Sequence, residues 1–388
     1  MEIYLALLIP AIAIVVRLYF VQTWKAPLIL AGLVVGLPFI FQACSVRSQT
    51  AANEILGGWV EDATYYERWN EYIHKTCTRE TNCTTDKNGN RSCQTETYDC
   101  SYVEDHPEYW ELNTTLGSFN TTEENFNRLV EKFKNHNFVE MNRNSYTIDG
   151  DAYTTSWNGD SAKFEPYFIN HTYENRIQAS QSVFNYKDVD TARYKLFPKQ
   201  KAGSNGYSNS FLIEGGNIAV NGNQILNYYN GMYGKMREMR IIALVFRDKP
   251  IEYGIQQESY WKGGNKNEFV LAVGVNSDGK INWVHPFSWT QNKELVFKVR
   301  DDIMGMGQFN DVAVANYLGQ TVSSKFVRKQ FKEFDYIDVK ATPGAIMRCW
   351  ITIALLTLIW VFMAPFIDST FDEGPVYRKS YRGMFLRY

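Results

Sequence analysis

The sequence predicts an α+β membrane protein with three transmembrane helices, two N-terminal and one C-terminal, that carry a β-rich ectodomain and an α/β sandwich. Three observations predict it. Two apolar runs, Ile3–Phe20 and Ala26–Ala43, follow one another with only Val21-Gln22-Thr23-Trp24-Lys25 between them, and a third, Cys349–Ile367, lies near the other end. Four of the six cysteines crowd between Cys77 and Cys100 around an Asn-Gly step. After Gln224 the chain changes from short alternating runs to continuous apolar segments separated by helical patterns.

Each N-terminal run is close to the roughly 20 apolar residues that cross a ~30 Å hydrocarbon core as a helix, and so short a joint makes an antiparallel hairpin. Residues 1–47 are expected to form it, 345–367 the third span and 368–388 a basic cytoplasmic tail. Basic residues are retained on the cytoplasmic side. Arg17 and Lys25 flank the hairpin turn, and Arg378, Lys379, Arg382 and Arg387 follow the third span. Both clusters share a side only when the N-terminus and the long segment Ser45–Ala345 lie outside the cytoplasm, in a periplasmic or extracellular space. Arg47, Lys340 and Arg348 run against the rule, although Arg348 is placed to snorkel to the interface. A rival reading takes Lys25, the second run and Phe41-Gln42-Ala43-Cys44 as a lipoprotein signal, but a complete apolar run ahead of it is foreign to signal peptides. Gly32 and Gly36 form a G-x-x-x-G that would let another span approach, although small residues are common in membrane helices anyway.

A net charge of -2 gives no support for nucleic-acid binding. Aromatic residues make up 15% of the chain, with 25 tyrosines, and asparagine is abundant between Asn53 and Asn230. That mix fits a β-rich, exposed domain, expected over 48–222. Within it, Asp86-Lys87-Asn88-Gly89-Asn90 is a hairpin-turn signal. Strands running out and back around that turn set Cys83 opposite Cys93 and Cys77 opposite Cys100, so nested disulfides are the natural pairing for a ribbon over 77–100. Each bond would add about 2–4 kcal/mol in an oxidising compartment, which gives a second reason to place this segment outside the cytoplasm. A four-cysteine zinc site is the rival, but its usual C-x-x-C spacing is missing. The ribbon is rich in Thr, Tyr and charge, so it is expected to project from the core, as a recognition finger or, more simply, as a stapled insertion.

His106 follows, beside Glu104, Asp105, Glu108 and Glu111; metal binding is conceivable there, but one histidine among solvated acids is more often a surface feature. Thr121-Thr122-Glu123-Glu124 reads as a capping box with Thr121 as N-cap, ahead of a helix whose Phe126, Leu129, Val130 and Phe133 share one face. Asp149, Asp151, Asp160 and Asp188 sit in Gly- and Asn-rich turns without the spacing of a calcium loop. Lys199–Ser210 reads as a loop. Glycosylation sequons occur at Asn82, Asn90, Asn113, Asn120 and Asn170, with meaning only in a eukaryotic secretory route.

The segment 223–340 is expected to be an α/β module. A short helix around Ile225–Tyr229 precedes the continuous apolar run Arg240–Phe246, which has the signature of a strand buried on both faces. A helix over Ile251–Trp261, a strand Phe269–Val275, the turn Asn276-Ser277-Asp278-Gly279 and a strand Lys280–Val284 follow. Helices Lys293–Met304 and Asn310–Lys332 complete a βαββαα order, in which helices cover a small mixed sheet.

The run Ile241–Phe246, the stretch Tyr260-Trp261-Lys262-Gly263-Gly264-Asn265-Lys266-Asn267-Glu268-Phe269-Val270-Leu271 and Val275-Asn276-Ser277-Asp278-Gly279-Lys280-Ile281 resemble the TPM domain, over about residues 238–335. That is a membrane-associated α/β domain of bacterial envelopes and plastid lumens. With Trp69–Cys77 and His285-Pro286-Phe287-Ser288-Trp289-Thr290, the longer pattern is similar to uncharacterised membrane proteins of tailed phages and bacteria. The first resemblance implies an acid phosphatase or a binder of divalent cations, with acidic residues at strand ends, here Asp248 and Asp278. An Asp-Arg pair usual in the family is Asp278-Gly279 here, and the family's later glycine-rich turn is replaced by His285–Trp289. Phosphoryl chemistry needs cationic or metal clamps, so both departures weaken it.

Other chemistries have less support. Gly263-Gly264 lacks the G-K-[ST] of a phosphate-binding loop. His285 and Ser288 offer a base and a nucleophile without an oriented third member. A channel is disfavoured by how few polar groups the spans carry beyond Arg17, Gln42 and Arg348. The expectation is a non-catalytic ectodomain tethered to the bilayer, which meets an envelope protein or assembles with copies of itself. The phage resemblance adds modification of a host envelope as a setting.

Overall fold

A computed structural model describes residues 2–21, 25–85, 87, 89, 91–143, 146–179 and 189–371. The hairpin joint 22–24, the turn residues Asp86, Asn88 and Asn90, Asp188 and the basic cluster Arg378 to Arg387 lie outside them. Chain contacts separate two compact units, one of Met1–Ala52, Tyr173–Asn185 and Phe331–Tyr388, the other of Asn53–Thr172 and Tyr186–Gln330.

In the first unit, Glu2–Tyr19, Ala26–Thr50 and Pro343–Ile367 are long and apolar enough to cross a membrane. The first begins as a 3-10 turn, Glu2–Leu7, before the α-helix Leu8–Val21. The second is broken between the α-helices Lys25–Val34 and Leu37–Thr50. Pro38 explains the break, because it has no N–H to donate and its ring crowds the carbonyl one turn earlier. This helix continues past the expected end at Ala43, so Arg47 belongs to it. Ala26, Leu30 and Val34 pack with Trp360 and Ala364, and Ile3 and Ala6 with Cys349 and Ile353. The Trp360 indole donates to the Ala26 carbonyl at 2.8 Å, a partner the apolar interior would otherwise deny it. Ile12, Val15, Leu28, Leu355 and Phe362 face outward, an exterior suited to lipid. A Cβ at Gly32 or Gly36 would meet nothing within 4 Å, so these glycines do not bring the described helices together. Arg348 donates back to the Gly344 carbonyl at 3.1 Å.

The second unit begins with β1 (Ala51–Tyr66), β2 (Trp69–Ile73), β3 (Thr76–Thr85), β4 (Arg91–Asp99), β5 (Tyr102–His106), β6 (Tyr109–Thr114) and β7 (Gly117–Thr121). After the helix Glu123–Phe133 come β8 (Asn137–Val139), β9 (Tyr146–Ile148), β10 (Ala152–Ser156) and β11 (Pro166–Glu174). One sheet has the order β7-β6-β1-β10-β8, with β11 also on β1; a second is β5-β2-β9, and β3-β4 stands as a two-stranded ribbon. Phe126, Leu129 and Phe133 of the helix pack on Val60, Ala63 and Leu112, with Val130 only partly buried. The N-cap is Thr122, whose hydroxyl accepts from the Asn125 N–H at 3.3 Å. The expected cap, Thr121, is held extended by pairing with Trp110, and this delays the helix by one residue.

The rest of the unit is a five-stranded sheet of order β13-β12-β14-β15-β16, formed by β12 (Phe211–Ile213), β13 (Asn217–Ile218), β14 (Arg240–Arg247), β15 (Glu268–Val275) and β16 (Ile281–Ser288). Strands β12, β14 and β15 are parallel, while β16 runs antiparallel to β15. Ile241, Ala243 and Val245 face the helices Val220–Arg237, Lys293–Gly305 and Asp311–Lys325; Ile242, Leu244 and Phe246 face Trp261 and Phe197. Helices on both faces account for the unbroken apolar runs.

Four boundaries differ from expectation. The sheet starts at Phe211, ahead of residue 223, because β12 and β13 are too short to leave a periodic signal. The helix around Ile225 runs over Val220–Arg237. The third expected strand continues to Ser288, so His285-Pro286-Phe287 lies within it. Pro286 is tolerated because β16 is an edge strand, where a missing N–H costs no ladder bond. The last helix ends at Lys325, where Phe326 turns extended, and does not reach Lys332.

The β-rich sheet and the α/β sheet belong to one compact unit, joined through β1. A Cβ at Gly57 would fall 2.1 Å from the Asn230 carbonyl oxygen, and one at Gly234 would fall 2.6 Å from the Gly57 oxygen. Glycine is what lets this strand and helix approach backbone to backbone. Asn267 adds a bond from its side-chain amide to the Ile55 carbonyl at 2.8 Å.

Candidate functional site

The strand-end acids come to the same end of the α/β sheet. Asp248 follows β14 with φ +51, and its Oδ1 accepts from the Ser277 N–H at 2.8 Å. Asp278 lies in the next turn, its Oδ1 accepting from the Lys280 N–H at 3.2 Å and its Oδ2 lying 3.8 Å from the Lys280 ammonium. Gly279 has φ +79, the geometry that lets this turn close, and this favours glycine where the TPM pattern has arginine. Both carboxylates are exposed, and each spends an oxygen on the turn. Among the described residues, neither joins the two groups of three metal-ligating side chains, Glu71/Glu104/His106 and Glu80/Cys83/Cys93.

His285 and Ser288 do not meet as base and nucleophile. They stand three residues apart on β16, which puts their side chains on opposite faces of the sheet. His285 Nε2 lies 2.7 Å from a Glu258 carboxylate oxygen, and the Ser288 hydroxyl donates to the Glu268 carbonyl at 2.7 Å. Lys262, Gly263 and Gly264, at φ +53, +78 and +84, turn the chain out of the helix Glu252–Trp261 and into β15. Their role is that of a helix C-cap.

Of the acids around His106, Glu104 stays with it, while Asp105 and Glu108 take other partners. The His106 ring stacks on Trp69 with centroids 4.1 Å apart, and its Nε2 lies 3.1 Å from Glu71, a residue the sequence pattern did not single out. Asp105 takes a two-pronged bond from Arg68 at 2.7 and 3.0 Å, and this bond holds its carboxyl below the ordinary range. Glu108 accepts from the Tyr65 hydroxyl at 2.8 Å; burial and that bond push the phenol up to about 12. Of the turn aspartates, Asp160 caps a short 3-10 helix by accepting from the Ala162 N–H at 3.0 Å. Asn170 has both amide atoms bonded to the Ala202 backbone, at 2.8 and 3.0 Å.

The ribbon holds the expected disulfides, Cys77–Cys100 and Cys83–Cys93. Cys77 pairs in register with Tyr98, and the register shifts between Thr81 and Thr84, where Asn82 has φ +50. The Arg79 guanidinium bonds Glu96 at 2.9 Å across the strands. Nearly every residue of β3 and β4 is exposed, so the ribbon offers a polar, cross-braced surface.

Two charged centres were not read from the sequence. Glu54 of β1 is fully buried, yet its carboxylate accepts from Arg328 at 2.8 and 3.0 Å and lies 3.0 Å from His171 Nδ1 and 3.7 Å from the Lys266 ammonium. Arg328 also reaches Glu238 at 2.6 Å. Burial pushes the Lys266 ammonium down, and Glu54 pulls it back up. Arg240 is likewise buried. It donates to the Ser208 hydroxyl at 2.8 Å and the Asn209 carbonyl at 3.0 Å and faces Glu268 at 3.8 Å, while burial lowers its guanidinium to about 10. Glutamate inside an alternating β run and arginine opening an apolar one are the only signals these centres leave in the sequence.

Comparison of the chain with protein-family models, with curated proteins and with solved structures finds no match.

Proposed function

We propose that this chain is a membrane-tethered ectodomain that works by binding, to an envelope protein or to further copies of itself, and not by catalysis. The ribbon carries this reading. It is braced by two disulfides, exposed along both strands, and pairs with no other strand among the described residues. A surface held rigid before contact loses little freedom when a partner docks, which favours recognition. The groups that suggested chemistry point the same way, since Asp248, Asp278, His285 and Ser288 are engaged in turns, a helix contact and a strand bond. The disulfides favour an oxidising compartment, so the ectodomain is proposed to lie in the periplasm or extracellular space and the C-terminal tail in the cytoplasm. Modification of a host envelope by a phage-encoded chain is the setting the sequence resemblance adds. The test is the mass of the full chain in detergent, beside a variant with residues 76–100 replaced by a short turn. A multimer or a stoichiometric membrane partner, lost in the variant, supports the reading; a monomer without a partner contradicts it.

The alternative is a TPM-type acid phosphatase or a divalent-cation domain. One observation favours it: the Asp248 carboxylate reaches the turn that carries Asp278. The double variant Asp248→Asn, Asp278→Asn decides. Phosphatase activity or calcium affinity equal to that of the parent removes this alternative.

A further inference from the structure

We infer that the β-rich part holds a saccharide-binding cleft, distinct from the ribbon and from the strand-end acids. A cavity of about 570 Å³ opens between the first turn of the helix Glu123–Phe133 and the loop 203–207. Its volume lies in the range of about 300–1,000 Å³ typical of small-molecule sites. Leu112 and the Tyr167 ring, both buried, form its base, and Tyr207, 56% exposed, stands at its rim. Between them lie the amides of Asn120, Asn125 and Asn205 and the Ser204 hydroxyl.

The walls are fixed in advance. Gly206, at φ +74, donates to the Gly203 carbonyl at 3.0 Å, and Gly203 donates to the Tyr207 carbonyl at 2.9 Å. The Phe168 N–H bonds the Gly206 carbonyl at 2.9 Å, tying the loop to β11. A Cβ at Gly206 would fall 2.1 Å from the Tyr167 ring, so the loop lies flat on that ring only because the residue is glycine. On the opposite wall, Thr122 caps the helix and the Asn125 amide donates to the Thr121 hydroxyl at 2.8 Å.

Charge selects the ligand class. The one guanidinium in the lining, Arg128, donates to the buried Glu165 carboxylate at 2.8 Å and to Asn125 Oδ1 at 2.9 Å; Lys132 shares that carboxylate, and Glu124 in the lining sets a second negative charge against the two cations. Glu123 and Glu124 occupy the first helical turn, the place where an anionic ligand would otherwise gain from the helix dipole. A phosphate or carboxylate is therefore disfavoured. What remains is a neutral ligand with an apolar face for the exposed Tyr207 ring and hydroxyls for the Asn120, Asn205 and Ser204 side chains. A sugar ring has both. Asn120 heads the sequon Asn120-Thr121-Thr122 at the mouth of this cleft, so the chain for the test is made without glycosylation.

The experiment uses the full chain in a detergent without a sugar headgroup, with tri-N-acetylglucosamine and maltotriose as probes and inorganic phosphate as the anionic control. Saturation-transfer NMR and calorimetry should register at least one of the sugars and not phosphate. Tyr207→Ala, at an exposed position whose loss leaves the core intact, should weaken binding about tenfold, the effect of losing one stacked ring. Tyr98→Ala on the ribbon should leave it unchanged. Replacing the ribbon tests the protein-partner reading and should leave sugar binding intact, so the two proposals fail separately. No binding of either sugar, binding indifferent to Tyr207→Ala, or phosphate that competes for the site would each overturn the inference.

Discussion

Replacing Glu54 with glutamine tests how the two sheets of the second unit are held together. The Glu54 carboxylate is fully buried and faces two cations, Arg328 at 2.8 and 3.0 Å and Lys266 at 3.7 Å, with His171 Nδ1 at 3.0 Å. Glutamine keeps the shape but removes the charge, which leaves the half-exposed Glu238 as the carboxylate facing the nearly buried Arg328. Breaking a buried pair by removing one partner costs about 3–5 kcal/mol, because the remaining charge stays desolvated. A domain is stable by about 5–15 kcal/mol in all, so the urea midpoint of the full chain, followed by tryptophan fluorescence, should fall sharply without a change in slope. Arg328→Met should rescue part of the loss, because the double variant no longer strands a guanidinium, with a coupling of about 0.5–3 kcal/mol. A loss below about 1 kcal/mol for Glu54→Gln, or strict additivity with Arg328→Met, would refute the clasp.

Three further outcomes follow from the geometry. Gly57→Ala puts a methyl 2.1 Å from the Asn230 carbonyl, so backbone must move, and the urea midpoint should drop by the equivalent of about 1–3 kcal/mol; an unchanged midpoint would show that β1 does not press on the helix Val220–Arg237. The Asp105 carboxyl is held low, first by the hydrogen bond from Arg68, so the stabilisation is present above the ordinary carboxylate value and lost as the pH falls through the depressed one. The difference in midpoint between the parent and Asp105→Asn should therefore shrink on acidification, and growth of that difference would contradict the pairing. The disulfides close stretches of 23 and 10 residues, so opening Cys77–Cys100 should destabilise the ribbon by about 0.7 kcal/mol more than opening Cys83–Cys93. Hydrogen exchange of the β3 and β4 amides measures this, with β14 and β15 unaffected; the reverse order would count against the chain-entropy account.

What could be read from the sequence depended on how locally each feature is encoded. The spans, the nested cysteine pairs and strands β14 and β15 announce themselves through runs of one residue type or through a turn signal with its flanks. The exact N-cap did not, because Thr121 and Thr122 are equally good caps and the choice fell to a strand pairing with Trp110. The strand expected to end at Val284 runs on through Pro286 to Ser288 because β16 is an edge, which only the sheet order reveals. The contact of Gly57 with Gly234, the Glu54 clasp and the cleft at Tyr167 and Tyr207 join residues far apart in the chain, so no window of sequence displays them. The ligand preference of the cleft rests on charges brought together across such distances, as when Glu165 takes both Arg128 and Lys132 of the helix Glu123–Phe133. Asp248 and Asp278, chosen by resemblance, do share one end of the sheet, but as parts of a turn.

The central claim, a tethered ectodomain that acts by contact through its braced ribbon outside the cytoplasm, is tested most directly by photo-crosslinking from the ribbon in intact cells. A photoreactive residue in place of the exposed Thr95 should give a discrete adduct with one envelope protein or with a second copy of the chain, and the adduct should disappear when the four ribbon cysteines are replaced by serine. An adduct only with cytoplasmic proteins, or none from any position along β3 and β4, would contradict the account.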